Sequence, residues 1–233
     1  MKKYAMRILF ILICLISLTT TIGFAQDVRY EVQNPKGESM DIVPFNYKLF
    51  NFQFHIKYPA KWYASEEYYA GKTTLFLTRE PVKSVSDIFK VGVSLAYELN
   101  FFLQQEPSNT KLGKMAKAAF RTRPWNDVKK ELLENMKKRP NIRSITSKDI
   151  TISGQPTFQV DYESDIVKMA TYYVKAGVHL LVITVEAPPS EFAEYEKTFK
   201  DMIDSFSFSK DFDFKQEEEI LAMKTEEIIK NKN

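Results

Sequence analysis

Residues 170–208 read ATYYVKAGVHLLVITVEAPPSEFAEYEKTFKDMIDSFSF, and the fold is organised around them. Within this stretch, residues 178–185 (Val-His-Leu-Leu-Val-Ile-Thr-Val) are almost wholly apolar, so a strand there is expected to be covered on both faces. Residues 169–174 supply its hairpin partner around Ala176-Gly177. Pro188-Pro189 stops the strand, and Ser190 is the expected N-cap of a helix running to Phe206. On that helix Phe192, Tyr195, Phe199, Met202, Ile203 and Phe206 recur at helical spacing on one face. A central strand and the helix packed on it make a core.

Working upstream, residues 147–152 and 157–163 flank Gly154-Gln155-Pro156 and read as a hairpin by its turn chemistry. On the second arm Phe158, Val160 and Tyr162 point one way, while Gln159, Asp161 and Glu163 point the other and read as solvent-facing alternation. Before the hairpin, Pro124 opens a helix with Trp125, Val128, Leu132, Leu133 and Met136 as its stripe, and Pro140 closes it. A shorter amphipathic helix is expected around Leu112, Met115, Ala116, Ala119 and Phe120. Strands are expected at 47–58, 73–78 and 89–99, with Lys61-Trp62-Tyr63 as a turn and residues 79–87 as a polar break. Phe50, Phe52, Phe54 and Ile56 share one face of the first of these, and Tyr58-Pro59 ends it.

The first residues carry an address. Lys2, Lys3 and Arg7 precede a short apolar run at 8–18, and Gly23-Phe24-Ala25 offers small residues for cleavage before Gln26. The run is shorter than the roughly 20 residues a membrane span requires. Ile13 before Cys14 is bulky where a lipid-attachment site needs a small residue. The expected layout is a leader at 1–25, a polar arm at 26–44, one domain at 45–209 and a charged, helical tail at 210–233. The mature protein is expected outside the cytoplasm, periplasmic or secreted, with no transmembrane segment.

Cleavage alters the charge account. The full chain has 33 Lys+Arg against 30 Asp+Glu; removing Lys2, Lys3 and Arg7 leaves 30 against 30. A neutral mature chain gives no reason to expect nucleic acid as a partner. Cys14 is the single cysteine, so the domain is expected to hold together by its aromatic core, built from 18 Phe and 12 Tyr, and by no disulfide.

Four pieces of the chain, in this order and spacing, resemble the PsbP-like family, relatives of the photosystem II extrinsic subunit that include secreted bacterial proteins. They are FHIKYPAKW at 54–62, ITISGQPTF at 150–158, the hairpin at 172–185 and the closing helix ending in SFSF at 205–208. The resemblance covers about residues 45–208. It implies an α+β fold, an α/β/α sandwich in which a central antiparallel sheet is flanked by helices. It also implies a non-catalytic binding or assembly role, and it carries no site residue across.

The chemistry points the same way. There is no mature cysteine, no Gly-x-Ser-x-Gly elbow and no phosphate-cradling glycine loop, so the chain is expected not to be an enzyme and to need no cofactor. His55 and His179 could meet a carboxylate such as Asp161 or Glu163 at a metal, or be ordinary strand histidines; no metal site is expected from their spacing. The sharpest local feature is basic. Lys111, Lys114, Lys117 and Arg121 form one helical stripe that Arg123 extends. It reads either as a docking face for an envelope protein or anionic envelope component, or as the solvated back of an amphipathic helix. A second candidate is a pocket for a small ligand or metal ion lined by Trp62, Tyr63, Tyr68 and Tyr69.

Overall fold

The computed structural model describes residues 31–32, 42–49, 52–69, 72–82, 89–98, 100–105 and 120–209. The expected leader, most of the arm, the helix expected over 112–119 and the tail at 210–233 lie outside the described residues. In chain order the strands are β1 (Glu31–Val32), β2 (Ile42–Leu49), β3 (Phe52–Pro59), β4 (Tyr63–Tyr69), β5 (Lys72–Thr78), β6 (Gly92–Glu98) and β7 (Leu103–Gln105). They continue as β8 (Phe120–Thr122), β9 (Ile142–Ile152), β10 (Gln155–Ser164), β11 (Lys168–Ala176), β12 (His179–Ala187) and β13 (Ser207–Phe208). The helices are α1 (Trp125–Lys137) and α2 (Phe192–Ser205).

The apolar run at 178–185 becomes β12, deep in an antiparallel sheet of order β1-β4-β5-β6-β12-β11-β10-β9. Seven of these strands are full length and β1 is a two-residue stub. β12 pairs β6 from Leu180↔Glu98 to Glu186↔Gly92 and β11 from Ala176↔His179 to Lys168↔Ala187. Its alternate residues feed two cores, as a strand without a solvent face requires. Leu181, Ile183 and Val185 enter the larger core, while Leu180 and Val182 face the smaller one.

The larger core is roofed by α2, whose Phe192, Tyr195, Phe199, Met202 and Ile203 are all buried. Beneath them lie Leu75 and Leu77 of β5 and Val93 and Leu95 of β6. On the helix's other side Phe54, Ile56 and Tyr58 of β3 close the packing, within a small sheet of order β13-β3-β2. Pro44 is tolerated in β2 because that strand is an edge. Ser190 is not the N-cap of α2. Glu191 holds that position, and the N–H groups of Glu191 and Phe192 both donate to the Pro188 carbonyl at 2.9 Å. The diproline turn presents a backbone acceptor where a hydroxyl was expected.

The smaller core lies on the opposite sheet face, under α1. Val128 and Met136 are buried there with Phe158, Val160, Tyr162, Met169 and Tyr173. Pro124 starts α1 by accepting from the N–H groups of Asp127 and Val128 at 3.1 and 3.2 Å. Basic side chains lie over its aromatic rings: Lys129 is 5.9 Å from the Phe158 centroid and Arg139 is 5.6 Å from that of Tyr162. Helices on both faces of an antiparallel sheet make this an α+β fold of mostly sheet, the α/β/α layering the family resemblance implies.

Three expectations are corrected. Residues 47–58 are not one strand but parts of a hairpin, β2 with β3 in register from Leu49↔Phe52 to Ile42↔Pro59, so the domain starts inside the expected arm. β4 fills the gap after Trp62, although its acidic Ser-Glu-Glu run gives little strand signal. Phe120–Thr122 is a strand paired with β7, so no helix runs through Arg121.

Arg79 and Glu80, expected within a polar break, form a clamp from β5 to α2. Arg79 Nη1 donates to Glu191 Oε2 at 2.9 Å and to the Tyr195 hydroxyl at 2.6 Å. Its Nε and Nη2 grip Glu80 Oε1 at 2.9 and 2.6 Å, while Glu80 Oε2 accepts from the N–H groups of Lys90 and Val91. Burial opposes ionisation of Glu80, but the Arg79 hydrogen bond and charge and the two backbone donors outweigh it and lower its pKa.

Candidate functional site

The two helices are offset. α1 covers one face of the β9–β11 end of the sheet and α2 covers the opposite face near β12; on the α2 side Ile150 and Ile152 of β9 still join the larger core, while the stretch from Ser144 to Lys148 and the β10 residues opposite it are left without a helical roof. Strand alternation decides what lines it. Opposed pairs Ser144↔Glu163, Thr146↔Asp161 and Lys148↔Gln159 put six polar side chains on that face. Lys168 of β11 and Phe192 and Glu196 of α2 form the far wall, and the half-open groove has a volume of about 380 Å³.

Its charges are mixed. Gln159 Nε2 donates to Asp161 Oδ1 at 2.7 Å, and Lys168 Nζ stands 3.9 Å from Glu163 Oε2. The Lys168 ammonium also lies 4.9 Å from the Phe192 ring centroid, which ties the β11 and α2 parts of the wall together. Behind Gln159, Tyr172 pairs with it across β10–β11 and marks where the groove meets the dry core. Burial, with the nearby Asp161 and Asp204 carboxylates, pushes the Tyr172 pKa up to about 12. Such a lining offers donors, acceptors and both signs of charge, and suits holding a polar chain rather than a polyanion.

The residues expected from sequence are dispersed. Trp62 is buried between Tyr195 and Phe199, at 6.2 Å from each ring, as part of the core and not as a pocket wall. Tyr63 follows on the exposed side, and Tyr68 and Tyr69 occupy the last two positions of β4. The aromatic pocket is therefore not formed by Trp62 with Tyr63, because neighbouring residues at the start of a strand point apart. Lys111, Lys114 and Lys117 lie outside the described residues, and Arg121 belongs to β8. Arg123 is engaged within the fold, paired with Glu131 and 5.2 Å from the Phe101 ring centroid.

The histidines lie in different sheets. His55 is exposed on β3, whereas His179 is buried and its Nδ1 accepts the Asn100 N–H at 2.9 Å, bracing the turn after β6. Among the described residues no group of three or more His, Cys, Asp or Glu side chains gathers as a metal site requires. Among them, too, no helix is long and apolar enough to cross a membrane.

The groove escaped the sequence reading although half of it was in view. The alternation Gln159, Asp161, Glu163 was legible, but not that this face lies on the same side of the sheet as α2. Ser144, Thr146 and Lys148 sit in an edge strand whose polar residues give no strong period.

No protein-family model and no curated protein sequence matches the chain. Among solved structures, CyanoP, the cyanobacterial PsbP of Synechocystis sp. PCC 6803, is similar at a TM-score of 0.40 and 11% identity, over 84% of this chain and 99% of that one. Protein PA94 of unknown function from Pseudomonas aeruginosa is similar at a TM-score of 0.37 and 14% identity, over 70% of this chain and 94% of that one. The chain thus has a weak PsbP-like likeness in fold.

Proposed function

We propose that this is a non-catalytic binding or assembly protein of the cell envelope, acting outside the cytoplasm after loss of residues 1–25. One observation carries the binding part: the mixed-charge groove over β9 and β10, left open by the offset of the two helices. Its partner is a polypeptide segment bearing both signs of charge, which the lysines and carboxylates of the lining can meet together. The basic run from Lys111 to Arg121 is a second contact for the same partner, with Arg123 held back by Glu131. The outside location rests on the leader pattern, and the reading needs neither a metal nor a cofactor.

In-cell photo-cross-linking tests it. A photoreactive residue at Glu196 or Lys148, both exposed on the groove, should capture one dominant envelope protein other than a second copy of this chain, while one at Lys61 in the β3–β4 turn should not. Capture of the same mixture from all three positions would defeat the proposal. Reversal of Lys114, Lys117 and Arg121 to Glu should weaken that capture without lowering the melting temperature; unchanged capture removes the basic contact.

A further inference from the structure

β9 is the terminal strand of the main sheet, and it is 11 residues long. Its side chains are exposed on both faces through Arg143, Ser144, Thr146, Ser147, Lys148 and Asp149. Among the described residues, no backbone hydrogen bond beyond those to β10 engages it. A long strand with an open edge is a template for pairing with another chain unless something opposes it.

The sequence of the edge says which chain. Antiparallel pairing about a two-fold axis normal to the sheet places residue i opposite a residue of the same parity, because opposed side chains share a face. Centring that axis on Thr146 sets Thr146 opposite its own copy, Ile145 opposite Ser147, Ser144 opposite Lys148 and Arg143 opposite Asp149. Both ends then carry opposite charges across the seam. Centring on Lys148 or Asp149 instead sets like charges face to face, which is destabilising. Arg143 and Asp149 have the reach: their side chains are 58% and 65% exposed although each touches an ion of its own fold, Asp165 and Lys129 respectively. Such surface pairs are worth little and exchange at small cost. The register shift opposite Glu163 and Ser164 ends the regular stretch at Ser144, leaving Arg143 at its margin to reach the facing carboxylate.

We propose that β9 is a homodimer edge, pairing antiparallel with β9 of a second copy about Thr146, with Arg143–Asp149 contacts at both ends. The two main sheets become one. Because Thr146 and Lys148 belong to the groove floor, the two grooves meet at the axis as a single trough. The dimer does not rest on the binding reading, and its test is separate.

The mature chain, purified from cells expressing the full sequence, is examined by sedimentation velocity across a concentration series. A dimer that grows with concentration is expected. Arg143→Asp and Asp149→Arg should each abolish it, since each variant opposes like charges at both ends. Mixing the two variants should restore a heterodimer, in which both ends carry opposite charges again. A monomer at every concentration, or a dimer that both variants leave intact, overturns the proposal, as does a mixture that stays monomeric. Thr146→Cys provides a readout independent of charge. Directly opposed residues sit about 4.5–5.5 Å apart at Cα, within disulfide range. Oxidation should yield a covalent dimer from Thr146→Cys and none from a Lys61→Cys control. Equal cross-linking of both, or of neither, overturns the register.

Discussion

The β12 region and the β9 edge are built from the same antiparallel ladder, yet they are opposite solutions to it. β12 has apolar residues on both faces and a core on each, with Leu180, Leu181, Ile183 and Val185 all buried. β9 buries Ile152 and half-buries Ile142, Ile145 and Ile150, while every other position is exposed. The middle of the sheet is specified by shape, and small changes of volume there are costly. The edge is specified by pairing and charge, and most substitutions there are tolerated.

The largest break in that contrast should come from Phe199→Ala. The ring is 3% exposed and lies within 6.2 Å of Trp62, Tyr195 and Phe192, so its loss should cost about 3–5 kcal/mol in urea unfolding. Thr146→Ala on β9 should stay within about 0.5 kcal/mol of the parent. Comparable losses at the two sites would dissolve the distinction.

Tyr172 stands at the boundary and sharpens it through pH. Its folded pKa is raised from about 10 to about 12, so the folded state holds a proton that the unfolded chain releases first. The contribution is complete below pH about 10 and is lost as pH rises through about 12, amounting to about 3 kcal/mol. Tyr172→Phe should flatten the stability profile over that window; an unchanged alkaline slope would place the loss elsewhere.

Two glycines give a smaller, paired test. A Cβ at Gly92 would meet Thr78 Cγ2 at 2.8 Å and the Leu77 carbonyl oxygen at 2.9 Å, so Gly92→Ala should cost about 2 kcal/mol by overpacking. Gly154, at the tip of the β9–β10 hairpin, has φ of 76° and nothing within 4 Å of an added Cβ. There the cost is backbone strain, about 1 kcal/mol. Equal thermal shifts would show that the middle of the sheet yields as easily as the edge.

Least in size is Glu80. Its pKa is lowered in the fold, so its contribution is present above the unfolded value of about 4.3 and disappears as pH falls through the folded value. Glu80→Gln should remove part of the acid sensitivity and change stability at neutral pH by less than about 1 kcal/mol, since the pair is about one-third exposed. Acid unfolding identical to the parent would take the clamp out of the account.

What could be seen in the sequence follows the same division. The apolar run of β12, the stripe of α2 and the Pro124 and Pro140 limits of α1 announce themselves because burial leaves a period. β9 was legible only from Ser147 onward, since a strand wetted on both faces keeps few apolar markers. β4 hid for a related reason: Ser65, Glu66 and Glu67 have poor strand propensity, and their placement comes from pairing with β5. Phe120, the last residue of an expected helical stripe, belongs instead to β8, where pairing with β7 overrode local periodicity. The groove needed relative placement, since its wall and floor come from residues 144 to 196 on four elements.

The sheet order carries a consequence for how the chain reaches this state. β4-β5-β6 and β9-β10-β11-β12 are each meanders of neighbouring hairpins, and a single seam, β6 against β12, joins them across some eighty residues of sequence. Local hairpins close early, whereas distant pairings wait on the entropy of a long loop. The seam is therefore the late event of folding, and Val93, Leu95 and Ile183 should show low φ-values while the β10–β11 hairpin shows high ones. Until β12 arrives, β6 offers a bare apolar edge, and at high concentration the β12 that arrives can belong to a neighbouring molecule.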